Sequence, residues 1–344
     1  MKVCHINLAK EYRGGERQTE LLIRELSARG HPQRLIARQH SELALRVTDV
    51  VGLELAELGN NYLSMGRAIK GCSVTHAHEA RAVYASLYGC WFQNIPSVIT
   101  RRVIRPQRNS WFRDKAYQSA GAIAAVSDAV AEHIRKSYPN LNPIVVPDAH
   151  SNLPVDSEFV STLRGKHSDK LIIVHVGTYD HGAKGQLTII DAAKRAATDQ
   201  PNWHFLLLGE GRERARFEAS IGDLRNIELV GFVDNVGDYL AAADIFVFPS
   251  LHEALGSSLL DAMQFGLPIV ATRVGGIPEF VEDGVNGRLI DTERPDQLFA
   301  AIEEVIANPE WAASVRAANI ERILTLDAAA MADHYEKIYE RIIL

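Results

Sequence analysis

The stretch Pro249 to Met263 places one carboxylate, Glu253, just ahead of a turn of small residues and a second, Asp261, about two turns into the helix expected to follow. A helix starting there leaves the amides near Leu255, Gly256, Ser257 and Ser258 without intrahelical partners and presents a positive dipole end, so they can receive phosphate oxygens. Glu253 and Asp261 then bracket that phosphate and can accept hydrogen bonds from hydroxyls on either side of it. Lys184, in Gly177-Thr178-Tyr179-Asp180-His181-Gly182-Ala183-Lys184-Gly185, stands at the mouth of another helix and suits a diphosphate as counter-charge. The plainer readings are a capped core helix with a satisfied carboxylate and a solvated lysine. Glycine-rich turns also precede helices at Gly14-Gly15-Glu16 and Gly275-Gly276-Ile277-Pro278-Glu279. The first is either a tight turn or a ligand loop. No G-x-G-x-x-G follows the first strand, which removes the best support for a nicotinamide or flavin enzyme.

Two other groups could do chemistry. His76 and His78 in His76-Ala77-His78-Glu79 have no third ligand nearby in sequence, so no metal site is expected there. Arg101, Arg102, Arg105, Arg108, Arg113 and Lys115 interleave with Trp111 and Phe112, a pattern that can meet a membrane surface or nucleic acid, or simply form a solvated loop.

These residues need elements to position them. Short Val- and Ile-rich runs alternate with amphipathic stretches along the chain, the βαβ pattern of parallel sheets covered by helices. Strands are predicted at Val3 to Asn7, Pro96 to Thr100, Ala122 to Val126, Leu171 to Val176, His204 to Leu208, Ile227 to Val230, Ile245 to Phe248 and Pro268 to Ala271. Helices are predicted at Glu16 to Arg29, from a Ser127 cap to Ser137, at Gln186 to Thr198, at Leu255 to Phe265, and over Asp327 to Leu344. The polar, Pro- and Gly-containing stretch Pro147 to Lys170 reads as a linker. The fold class is therefore α/β, two doubly wound Rossmann-like domains facing a cleft, residues 1–152 and 153–326, followed by a packing helix over 327–344. Ligands of such sheets sit beyond the carboxyl ends of the strands.

The 344 residues, 47% hydrophobic and 23% charged, suit two globular domains with no low-complexity tract. Apolar runs are far shorter than a membrane span, and the first residues do not read as a secretory signal. Cys4, Cys72 and Cys90 are odd in number and far apart, which argues for reduced thiols in a cytoplasmic protein. The net charge of −6 divides into +7 over residues 1–150 and −13 over the rest, so the basic half is the one suited to an anionic acceptor or membrane surface.

The stretch Ser250 to Glu279 resembles the signature of the family 4 retaining glycosyltransferases of the GT-B fold. Glu253 stands at the first glutamate of its E-x7-E pattern, Gly266-Leu267-Pro268-Ile269-Val270-Ala271 at its strand, and Gly275-Gly276 with Glu279 at its glycine turn. Gly14-Gly15-Glu16, Gly209-Glu210-Gly211, Gly231-Phe232-Val233, Ala125-Val126-Ser127 and the closing helix are similar to the family's remaining motifs. The resemblance implies transfer of a sugar from a nucleotide-sugar donor, a UDP-sugar being favoured, to a glycan or lipid-linked acceptor. It implies Glu253 at the donor sugar hydroxyls, the amides of Leu255 to Ser258 at the phosphates, Asp261 at the ribose, and Gly15, Thr178, Gly209 and Val233 around the donor. It implies that residues 1–152 form the acceptor side, with Gly14, His78 and Arg101 on it, that residues 153–326 bind the donor, and that the helix over 327–344 packs back on the first domain. No D-x-D motif occurs, so no cofactor and no metal are expected. Lipid-linked acceptors among relatives favour peripheral contact with an anionic membrane at its inner face, and no nucleic acid.

The chain departs from the pattern at three places. The second glutamate is Asp261, one methylene shorter. The arginine that precedes the family's lysine is Thr178, which leaves Arg212 or Arg273 as replacements. Where many relatives carry a histidine, this chain has Arg101-Arg102, and Arg102 is the catalytic candidate beside Glu253 and Lys184. A GT-B nucleotide-sugar epimerase and a non-catalytic nucleotide-sugar-binding subunit are the alternatives.

Overall fold

The computed structural model describes residues 1–58, 62–104 and 110–344, which form two compact units: Met1–Ser151 with Leu326–Leu344, and Asn152–Thr325. The first is built on a parallel sheet of β1 (Val3–Asn7), β2 (Gln33–Arg38), β3 (Leu53–Leu58), β4 (Val74–Ala77), β5 (Ser97–Arg101), β6 (Ala122–Ala125) and β7 (Ile144–Val145), in the spatial order β3-β2-β1-β4-β5-β6-β7. Strands β1, β4, β5 and β6 are buried along their whole length, as befits parallel strands with helices on both faces. Ser127 caps the helix Asp128–Ser137 by accepting from the Val130 amide.

The helix Ala328–Ile343 belongs to this first unit. Asp327 caps it, accepting from the Ala330 amide at 2.7 Å, and its buried Met331, Ala332, Tyr335, Ile338 and Tyr339 join Val3, Leu22, Val74 and Val98 in one core. Met331, Tyr335, Ile338 and Tyr339 share one side of the helix by their i, i+4 and i, i+3 spacing.

The second unit has its own sheet: β8 (Leu171–Val176), β9 (Trp203–Leu208), β10 (Ile227–Gly231), β11 (Ile245–Phe248), β12 (Ile269–Thr272) and β13 (Gly287–Ile290), ordered β10-β9-β8-β11-β12-β13. Its largest core side chains are Trp203, Tyr179, Phe205, Phe217 and Phe299. Both units are thus doubly wound α/β, as expected, with a switch of strand order beside the strand that opens each sheet.

The stretch expected as a linker holds a helix, Ser157–Lys166. Asp156 fixes its start by accepting from the Glu158 and Phe159 amides, and Leu163 and Phe159 supply a short apolar face, Phe159 lying 5.3 Å from the Tyr239 ring. Two apolar anchors are too few to show a period in sequence. Cys4 and Cys72, 68 positions apart in sequence, come close enough for each thiol to shift the pKa of the other, Cys4 up and Cys72 down, and all three cysteines are free thiols.

Candidate functional site

In the second unit the loops at the carboxyl ends of the strands are held together by backbone contact at glycines. Gly209, after β9, adopts φ +136°, and a Cβ there would lie 2.0 Å from the Gly177 carbonyl oxygen. A Cβ on Gly211 would lie 2.4 Å from the Tyr179 carbonyl oxygen, and the Tyr179 hydroxyl donates to Leu207 O and accepts from the Gly231 amide. The loop carrying Lys184 is fastened to the loop after β11 in the same way. Gly185 has φ +68°, and a Cβ there would meet Pro249 O at 1.9 Å, while the Leu251 and His252 amides both donate to Ala183 O. Only glycine allows such approaches.

This stitching delivers the Lys184 ammonium to Glu253, Nζ to Oε2 at 2.5 Å, with the charge also 5.1 Å from the centre of the Phe248 ring. Ser250 Oγ donates to the same carboxylate oxygen at 3.4 Å, and the Gly276 amide of the next glycine turn donates to Glu253 O. Gly256, at φ +96°, turns the chain into the helix Ser257–Gln264, two residues later than the predicted start, with Phe248 too close to admit a Cβ. The Ser258 hydroxyl is occupied by Val176 O, which leaves its backbone amide as the group to offer a ligand. Leu255 and Asp261 are buried and Val233 half-buried. Asp261 sits in that helix, downstream of its first turn.

Sequence reasoning missed His175 and Gln186, which lie buried beside the loop that carries Lys184. His175 Nδ1 is bonded to Val247 O at 3.0 Å, and burial lowers the ring's pKa to about 4, keeping it neutral. Gln186 Nε2 donates to Thr178 O and approaches His175 Nε2, pinning the loop where an arginine is absent. Their only signal in sequence was polarity within apolar runs. Of the two replacement arginines, Arg212 is exposed with Nη2 3.9 Å from Asp180, in the stitched loops, whereas Arg273 pairs with Asp283.

In the first unit Gly14 and Gly15 open the helix Gly14–Ala28, whose Glu16 accepts from the Arg13 amide at 3.0 Å. Burial raises the Glu16 pKa, against the backbone bonds to its carboxylate and the Arg102 charge. Arg102 is largely buried, its side chain 10% exposed; its Nε donates to Asp148 at 2.9 Å and its Nη1 to His78 O, and its Cδ lies 3.8 Å from where a Gly15 Cβ would stand. Gly15, His78 and Arg102 therefore meet. Arg101 does not join them: its side chain bonds Val103 O and lines a cavity of about 290 Å³ with Arg113, Tyr117, His133 and Tyr138. The third ligand not foreseen in sequence is His5. Its Nδ1 lies 3.0 Å from His78 Nε2, and nitrogens of His5, His76 and His78 come within 4.8 Å of one another. Most of those nitrogens are already engaged, His5 with Gln33 and His76 with Tyr339 and Thr100. Burial lowers the His5 pKa to about 4 and holds His76 and His78 well below the usual histidine range.

Among its described residues, the basic stretch is less basic at its surface than the sequence suggests. Arg101 and Arg113 are largely buried, Arg113 bonding Asp114 and Tyr138, and Arg105 and Arg108 lie outside the described residues. Among the described residues here, large apolar side chains are exposed: Phe92 at 70%, Trp111 at 60% and Phe112 at 58%, with Trp91 edge-on to Trp111 and Lys115 over its ring.

Two doubly wound parallel sheets, with a lysine–glutamate pair at a glycine-started helix on the second, define a GT-B architecture. The family model for "Glycosyl transferases group 1" matches residues 170–308 and that for "Glycosyltransferase Family 4" residues 12–147, and the chain belongs to this family of glycosyltransferases. It is 27% identical over 323 residues to the lipopolysaccharide core biosynthesis glycosyltransferase LpsE of Rhizobium meliloti (strain 1021), covering 90% of this chain and 89% of the relative. It is 24% identical to the alpha-maltose-1-phosphate synthase of Mycobacterium tuberculosis (strain ATCC 25618 / H37Rv), covering 81% and 82%. In fold it is similar to Anabaena Alr3699/HepE in complex with UDP-glucose, with TM-score 0.88, 18% identity, and 99% of each chain covered.

Proposed function

We propose that this glycosyltransferase moves a sugar from a nucleotide sugar, a UDP-sugar first, to a glycan or lipid-linked acceptor with retention of anomeric configuration. The observation that carries the reading is the Lys184–Glu253 pair beside the free amides of Ser257 and Ser258. On donor binding a phosphate replaces Glu253 as partner of Lys184, which frees the carboxylate to accept from sugar hydroxyls. Lys184 and the helix-start amides then hold the negative charge that grows on the departing diphosphate as the sugar passes through an oxocarbenium-like state. Asp261 serves the ribose, at one methylene less reach than a glutamate. No metal enters this scheme, because fixed protein groups supply the positive charge. The solved relative complexes with UDP and UDP-glucose support the donor class.

The acceptor falls to the first unit, with Arg102, His78 and Gly14 facing it. Among the described residues no helix is long and apolar enough to cross a membrane, and the exposed Trp91, Phe92, Trp111 and Phe112 support peripheral contact with a membrane at its cytoplasmic face.

Glu253→Ala and Lys184→Ala should each lower donor-dependent turnover at least about tenfold, about 1.4 kcal/mol of transition-state stabilisation. Product anomers read by NMR test retention. Isomerised donor identifies an epimerase instead, and binding without turnover a non-catalytic subunit.

A further inference from the structure

The second sheet has a cluster at its amino-terminal end, opposite the loops that carry Lys184 and Glu253, which the transfer chemistry leaves unused. His204 is the second residue of β9 and Glu228 the second of β10. Because Glu228 pairs in register with Leu206, two residues beyond His204, the two side chains share a face of the sheet on a diagonal. His167 follows the helix Ser157–Lys166 and closes it, its amide donating to Leu163 O and Arg164 O. Its ring lies over that of His204, centroids 4.2 Å apart.

The rings are 7% and 8% exposed as residues, yet Nε2 of each is buried with no hydrogen-bond partner among the described residues. A buried polar atom left without a partner destabilises the fold, and here two of them stand together. One ligand atom each from His167, His204 and Glu228 fall within 4.8 Å of one another. The histidine trio of the first unit differs: its nitrogens bond Gln33, Tyr339, Thr100 and each other, and His78 Nδ1 alone is unpartnered.

We infer that His167, His204 and Glu228 form a binding site for a divalent transition-metal ion of the zinc class. Two neutral imidazoles supply lone pairs and the carboxylate supplies charge, a donor set that suits zinc, at about 2.0–2.2 Å per bond, rather than the all-oxygen preference of calcium or magnesium. Burial lowers both histidine pKa values, with the Lys166 charge adding to it at His167 and His167 adding to it at His204. Glu228 is on the exposed side, 3.5 Å from the Lys166 ammonium, and exchanges that partner for the ion. A bound ion ties the first helix of the second unit to β9 and β10. Its place at the far ends of the strands makes it a structural ion, separate from the metal-free transfer proposed above.

The test is zinc binding by the full chain, stripped with a chelator, desalted and dialysed against zinc chloride with a chromophoric competitor. We expect one tight equivalent per chain, a zinc-dependent rise in melting temperature, and a tetrahedral cobalt spectrum on substitution. His167→Ala and His204→Ala should each weaken zinc binding by more than about tenfold, and His78→Ala should leave it unchanged. If His204→Ala does not fold, His167→Gln and the more exposed Glu228→Gln carry the comparison, with the same direction expected. Absence of zinc binding, indifference to His167→Gln and Glu228→Gln, or loss in His78→Ala would overturn the inference.

Discussion

The two units share a sheet plan but build their sites differently. In the second, backbone meets backbone: Gly185 against Pro249 and Gly209 against Gly177 leave no room for a side chain, and the charged pair is set by that rigidity. In the first, buried side chains do the positioning. Arg102 is held by Asp148, and His76 is held by Thr100 and by Tyr339 from a helix far along the chain. A site made by close backbone approach should tolerate almost no added volume, whereas one made by a polar network should yield to pH and to single hydroxyl deletions.

The sharpest way to break that contrast is to add a methyl group at corresponding loops. Gly185→Ala should destabilise the second unit by several kcal/mol, about 4, since both its φ of +68° and the Pro249 carbonyl forbid the Cβ. Urea unfolding and activity should both register the loss, and a near-native midpoint would show that the loop can give way. Acid should act on the network next. His5, His76 and His78 are neutral in the fold, with pKa values below that of the unfolded chain, so the unfolded state binds more protons as pH falls below about 6.5. Their stabilisation is complete above that pH and is lost progressively toward about 4, at up to about 1.4 kcal/mol per histidine per pH unit. Urea midpoints at about pH 7.5 and 5.5 check the sign, and His175 and His204 add the same trend, less densely, in the second unit.

Smaller again is Tyr339→Phe, which leaves His76 Nδ1 buried without its hydroxyl partner and should cost about 1–3 kcal/mol, read as faster hydrogen exchange in the first unit only. The smallest effect belongs to Gly15→Ala. A Cβ there meets nothing nearer than Arg102 Cδ at 3.8 Å, inside a helix, so stability should change by no more than about 1 kcal/mol. A loss as large as that at Gly185 would erase the distinction between the units.

The same contrast explains what could be read from sequence. Glycine and proline punctuation marks backbone sites, so the loops around Gly177, Gly209, Gly256 and Gly275 and the strands before them were legible, with boundaries off by a residue or two. The pairing of Lys184 with Glu253 was not, because it depends on two loops 69 residues apart touching at Gly185. The histidine network was hidden for a related reason: His5 lies 73 positions from His78, and only the β1–β4 pairing brings them side by side. Arg101 and Arg102 looked like one basic feature, yet consecutive residues at a strand end turn to different sides, so one reaches Asp148 and the other the Tyr117 cavity. The short helix Ser157–Lys166 escaped notice for lack of apolar period.

The first unit is discontinuous in the chain, and this orders its biosynthesis. Val3, Leu22 and Val74 share their core with Met331, Tyr335 and Tyr339, which a ribosome supplies only after all of residues 152–325. The second unit can finish its sheet while the first still lacks a wall, leaving Val98 and the His76 ring exposed to chaperones or to aggregation until the Tyr335 turn arrives.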